Sequence, residues 1–174
     1  MDLIDAAKRN NIGRVRELLD RGADPNIIDG SYNNYTALIY ASQRGYRDIV
    51  NLLLDNGADI NITDDLGNTA LMRASRNNRT EIIRLLLDRG ADPNIKSGYG
   101  ITALMLASRN GNNEIVKLLL DNGADPNIRD RDGKTALMIE EERGERGHND
   151  VARLIRDHIR LQRARQRLAF ATFL

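Results

Sequence analysis

A 33-residue period runs through the chain. Thr-Ala-Leu begins at Thr36, Thr69, Thr102 and Thr135, and Gly-Ala-Asp begins at Gly22, Gly57, Gly90 and Gly123. The threonines are 33 apart throughout, whereas the first glycine interval is 35, which places a two-residue insertion within Asp29-Gly30-Ser31-Tyr32-Asn33-Asn34. Self-similarity at a fixed interval means that each copy is one supersecondary unit. A unit of this size cannot cover its own apolar face, so neighbouring copies must stack to bury it. The spacing divides the chain into units at about 1–30, 31–63, 64–96, 97–129 and 130–160, followed by a basic helical tail over 161–174.

Within a unit the cues switch from helix to turn at fixed offsets. Thr69 is a good helix N-cap, because its hydroxyl can accept from an unpaired amide two or three residues on. Ala70, Leu71, Met72 and Ala74 give a short helix with one apolar face, and Asn77-Asn78 breaks it. Ile82, Ile83, Leu85, Leu86 and Leu87 supply the stripe of a second helix, which Gly90 closes as a left-handed C′ residue. Asp92-Pro93-Asn94-Ile95 turns the chain outward to a hairpin tip before Thr102 restarts the cycle. Gly-Ala-Asp-Pro-Asn follows the helix ends and is read as having a geometric role.

This unit resembles the ankyrin repeat: 33 residues, Asp-x-x-Gly-x-Thr leading into the first helix, and Leu-Leu-Leu-x-x-Gly-Ala-Asp-x-Asn ending the second. The resemblance implies an all-α solenoid of helix-turn-helix units with β-turn or hairpin fingers, extended here by a C-terminal helix. The family's Thr-Pro-Leu-His is Thr-Ala-Leu-Ile at Thr36 and Thr-Ala-Leu-Met at Thr69, Thr102 and Thr135, so the histidine that tethers neighbouring turns is absent. Fewer polar ties between turns are therefore expected, with Ile39, Met72, Met105 and Met138 filling the space. Arg14 and Glu17 make the first unit's outer face wettable. Glu140 and Glu141 stand where inner units carry Ala-Ser, so Glu140 is expected to reach solvent or an arginine.

Composition narrows the function classes. There is no cysteine, which excludes disulfides and thiol nucleophiles, and only two histidines, His148 and His158, are present. Glu140, Glu141, Glu142, Glu145 and His148 form the one cluster with metal-ligand character; nothing fixes their geometry, and they read as a solvated cap. Gly98-Tyr99-Gly100 is a turn, too short for a phosphate loop. The expectation is a non-enzyme with no cofactor and no metal. The longest apolar run is five residues, as in Ala103 to Ala107, which excludes a membrane span, and the first residues lack a signal-peptide pattern. An intracellular location is expected, cytoplasmic with the nucleus as an alternative.

The resemblance implies binding of another protein through a concave face, contacted by the hairpin tips and the exposed ends of the first helices. Carried onto this chain, the helix-end positions are Lys8 and Arg9, Gln43 and Arg44, Arg76 and Asn77, Arg109 and Asn110, and Glu142 and Arg143. The tips contribute Tyr32 and Tyr35, Asp65, Leu66 and Asn68, Tyr99 and Ile101, and Arg131, Asp132 and Lys134. Tyrosine and arginine dominate interface energetics, and the basic, amide-rich row favours an acidic or mixed acidic and apolar partner surface. The net charge of +1 hides an asymmetry, because residues 150–174 carry six arginines against two aspartates. A helix is expected from Asp150 to about Phe170, with Leu154, Leu161 and Leu168 seven apart, a spacing that permits self-association. Its arginines, together with those of the concave face, make single-stranded RNA or another polyanion the alternative partner, and the lack of an aromatic stacking platform weighs against RNA. The appended tail is similar in layout to those of ankyrin proteins of large DNA viruses and intracellular bacteria.

Overall fold

The structure is a computed structural model and describes residues 2–30, 33–142 and 149–171. Ten helices form five antiparallel pairs among these residues: α1 Leu3–Lys8 with α2 Ile12–Asp20, α3 Ala37–Arg44 with α4 Arg47–Asp55, α5 Ala70–Arg76 with α6 Thr80–Asp88, α7 Ala103–Asn110 with α8 Asn113–Asp121, and α9 Ala136–Glu141 with α10 Asn149–Ala171.

Local chemistry accounts for the helix ends. The hydroxyl oxygens of Thr36, Thr69, Thr102 and Thr135 accept from the backbone N–H three residues on, at 3.2 to 3.3 Å, which satisfies one otherwise orphaned donor in each first helix. At the end of α6, Gly90 lies at φ +87°, with Gly90 N–H donating to Leu87 O and Ala91 N–H to Leu86 O. That left-handed closure would strain any residue with a Cβ.

Packing follows the register of the copies. Each first helix lies against the next first helix, and each second helix against the next second helix. The first-helix row is the more closely packed of the two, so the stack curves toward it. One continuous core results, in which Leu53, Leu86 and Leu119 occupy equivalent positions in successive units and are fully buried. The outer face of α2 is held by Arg14–Glu17 and Arg21–Glu17 pairs, matching its reading as a wettable cap.

The fingers are turns closed by single antiparallel bridges, Ile28 with Thr36 and Thr63 with Thr69, with no strand among the described residues, in keeping with the expected β-turn or hairpin fingers. Two expectations change. Ile39, Met72 and Met105 are buried as expected, but Met138 is 40% exposed, because among the described residues no further copy stacks on the fifth unit. Glu140 is buried, at 3% exposure, which removes solvent from the two outcomes expected for it, solvent or an arginine.

The polar ties between turns are also more numerous than the missing histidine implied. They come from the asparagine of Gly-Ala-Asp-x-Asn. Asn26 Nδ2 donates to Gly57 O at 3.3 Å, and its Oδ1 accepts from Asp59 N–H at 2.7 Å. Asn61 Oδ1 accepts from Asp92 N–H at 3.0 Å; Asn94 Nδ2 donates to Gly123 O at 2.9 Å and its Oδ1 accepts from Asp125 N–H at 2.7 Å. Each asparagine thus reads the backbone of the next unit's turn. Replacing Asn94 with Ala removes two such bonds and should cost about 1–2 kcal/mol in urea unfolding. The same change at Asn127, whose amide donates only to its own unit's Asp125, should leave stability within about 0.5 kcal/mol. Equal costs at the two positions would contradict a tie between units.

Candidate protein-binding face

The fingers stand over the inner, first-helix side of the stack. They bond to one another through the backbone: Asp65 N–H to Asn33 O, Gly98 N–H to Leu66 O at 2.7 Å, and Arg131 N–H to Tyr99 O at 3.1 Å. Their approach is close enough to demand glycine. A Cβ on Gly100, at φ +76°, would lie 2.9 Å from Asp130 Cα.

Each tip is organised by one acceptor. Asp64 Oδ1 accepts from the backbone N–H groups of Leu66 and Asn68 at 2.9 and 2.8 Å; Ser97 Oγ accepts from those of Tyr99 and Ile101, and Asp130 Oδ1 from those of Asp132 and Lys134. The other oxygen of Asp64 is held by Arg73 of α5, whose Nε donates at 3.0 Å and whose Nη2 makes a second, shorter bond. Both partners are withdrawn from water, with side-chain exposures of 1% for Asp64 and 11% for Arg73. In the preceding unit Asp29 Oδ2 accepts from Tyr40 OH at 2.8 Å and from Lys8 Nζ at 3.5 Å, while Oδ1 accepts from Tyr35 N–H.

Aromatic contacts join these two pairs. Tyr35 and Tyr40 meet edge to face at 4.9 Å, the Arg73 guanidinium lies 4.8 Å from the Tyr35 ring centre, and Lys8 Nζ lies 4.3 Å from that of Tyr40. Burial pushes both tyrosine phenols above their usual range. Burial works against the charge on Lys8, but Tyr40 and Asp29 outweigh it and raise the ammonium pKa. Tyr40 and Arg73 were missed in the sequence reading. Their signal was a finger residue matched to a first-helix residue: Asp64 goes with Arg73, whereas the next unit has Ser97 with Leu106.

The candidate residues fall into three groups. Leu66 at 46% and Tyr99 at 59% stand exposed on the tips, with Arg131 lying 5.5 Å from the Tyr99 ring centre. Arg44, Arg76 and Arg109 are exposed, and their guanidinium groups make no hydrogen bond or ion pair among the described residues. Arg109 lines a groove of about 260 Å³ whose apolar wall is Ile101, Leu106 and Ile139 and whose rim includes Lys134, Asp132 and Glu142. Arg44 lies elsewhere, lining a surface hollow with Asn78, Arg79 and Glu81 at the turn between α5 and α6.

The third group is engaged within the chain. Tyr35, placed at a tip in the sequence reading, is 7% exposed and belongs to the core. Asn68 is half-buried and spends its amide on Asp64; Asn110 donates to Ser75 O, Arg76 O and Asn78 Oδ1 of the preceding unit; Asn77 donates to Arg73 O. Ile101 is half-buried against the core, and Lys134 is paired with Glu142, which raises its pKa. Tyr32 and Arg143 lie outside the described residues, as do Glu145 and His148 of the acidic cluster.

No helix among the described residues is long and apolar enough to cross a membrane. The family model for ankyrin repeats in three copies matches residues 3–97, and a second ankyrin-repeat model, of many copies, matches residues 92–139. A search of the curated proteins finds no match.

Proposed function

The chain belongs to the ankyrin-repeat family, and from that premise we propose that it is a non-catalytic module holding an acidic or mixed acidic and apolar surface of a partner protein. Ankyrin repeats generally mediate protein–protein interaction and are typically non-catalytic. The surface proposed here is the inner face, where the fingers meet the first helices.

The observation that carries this reading is the groove beside α7. Its wall of Ile101, Leu106 and Ile139 offers an apolar side chain a place to leave water, and Arg109 lines it without an ion pair among the described residues, while Asp130, Asp132 and the Lys134–Glu142 pair line the same groove. An apolar group flanked by Asp or Glu satisfies both at once, and such a buried anchor with a charged rim is the usual anatomy of an interface hot spot. Arg76 extends the cationic row, one unit before Arg109. Tyr99 and Leu66 add exposed apolar area on the tips, where the fold itself gains little from it.

Exchanging both Arg76 and Arg109 for Glu should abolish partner capture in affinity pull-down while far-UV circular dichroism stays unchanged, since neither guanidinium supports the fold. Undiminished capture by the double variant would remove this face as the site.

A further inference from the structure

The asparagine ties stop at Asn127, and the reason lies in α10. Three units repeat one arrangement, in which the asparagine faces the next unit's Gly-Ala-Asp turn. Asn26 and Asn94 each take both groups of that turn, the glycine C=O and the aspartate N–H; Asn61 takes the aspartate N–H. After the fourth unit no such turn follows. Where α2, α4, α6 and α8 end in asparagine or arginine and then glycine, α10 carries His158-Ile159-Arg160 and continues as helix to Ala171. Asn127 Nδ2 donates instead to Asp125 Oδ1 of its own turn, at 2.9 Å.

The prolonged helix stands off from the turn and leaves a cleft. Two adjoining cavities of about 540 and 390 Å³ separate residues 120–127 from α10 and share Gln162 and Arg165 as wall. Both volumes fall within the roughly 300–1,000 Å³ of ordinary ligand pockets. The polar lining suits a peptide backbone: Asn127, Gln162 and Gln166 each present an amide that donates and accepts. Leu120 and Leu161 supply apolar surface, and Leu161 is 59% exposed. Arg165 has no ion pair among the described residues, so a carboxylate entering the cleft has a ready partner. Asp121 and Asp125 on the opposite wall leave Arg165 able to offset a single carboxylate but not a run of phosphates, which argues against a phosphate backbone as the occupant.

We propose that this cleft is a second binding site, separate from the inner face, in which a Gly-x-Asp turn of another polypeptide sets its backbone on Asn127 and its carboxylate on Arg165. The occupant reproduces what each inner asparagine already holds within the chain.

The test uses the full chain, labelled with nitrogen-15, and the N-acetylated, C-amidated peptide Gly-Ala-Asp-Pro-Asn-Ile. Titration should shift the side-chain amide signals of Asn127, Gln162 and Gln166 at millimolar peptide or below. Asn127→Ala should weaken binding about tenfold, the loss expected for two hydrogen bonds, and Arg165→Glu should abolish it. A peptide with Lys in place of Asp should not bind, and the Arg76→Glu, Arg109→Glu protein should bind as the parent does, which separates this site from the inner face. Unmoved amide signals would overturn the proposal, as would equal affinity for Asn127→Ala. Displacement of the peptide by inorganic phosphate or a single-stranded RNA oligonucleotide would overturn it as well, showing an anion site instead.

Discussion

Asp64→Ala should lower the unfolding free energy by about 3 kcal/mol. The substitution strands the Arg73 guanidinium in a site with little access to water and also removes the acceptor for the backbone N–H groups of Leu66 and Asn68. Arg73→Leu alone should cost a comparable amount, since it leaves the Asp64 carboxylate buried and short of its cation. The chain itself contains the remedy. In the next unit Ser97 organises the tip through its hydroxyl and Leu106 covers the first helix, with no charge in either place. The double variant Asp64→Ser, Arg73→Leu copies that solution and should recover most of the loss. Urea midpoints of the parent, Asp64→Ser, Arg73→Leu and the double variant close the cycle that measures this coupling. Strictly additive losses would mean that the two side chains do not act as a pair.

Leu86→Ala should cost a comparable amount, about 2–5 kcal/mol, because the leucine is fully buried between units and its removal leaves a cavity that rigid neighbours cannot close. The contrast is Leu161→Ala. That leucine is mostly exposed on the extension of α10, and its truncation should change stability by less than about 0.5 kcal/mol. Thermal unfolding of both variants gives the comparison directly.

What could be read from the sequence was what depends on neighbours a few residues apart. The threonine caps, the closing glycines and the leucine stripe of each second helix are local choices, and each stands where the 33-residue spacing put it. Features that depend on a partner one unit away were harder to see. Asn26 and Asn94 looked like parts of a turn because their ligands, the glycine carbonyl and the aspartate amide, lie 29 to 33 residues further on. Tyr35 looked like a tip residue, as did its counterparts in the other units, because the residue just before each capping threonine reads as part of the exposed turn. Aligned on the threonines, it shares its position with Asn68, Ile101 and Lys134, all half-buried, and the tips proper lie two residues earlier at Leu66 and Tyr99. Met138 follows the same Thr-Ala-Leu as Met72 and Met105, but among the described residues no further first helix covers it.

The same distinction bears on function. Side chains engaged within the array, such as Arg73 with Asp64 of its own unit and Tyr35 of the preceding one, and Asn110 with the backbone of the preceding unit, are used up in holding it together, and the surface left for a partner is correspondingly smaller than the sequence implied. Arg109 at the groove, Leu66 and Tyr99 on the tips and Arg76 at the end of α5 remain exposed.

Native-state hydrogen exchange on Leu86→Ala tests the central claim, that each unit is sealed by its neighbours. Protection of the amides in α6 should fall, and it should fall together with that of α4 and α8, whose buried residues face the new cavity, while α2 is less affected. Loss of protection confined to α6, with α4 and α8 unchanged, would contradict the account.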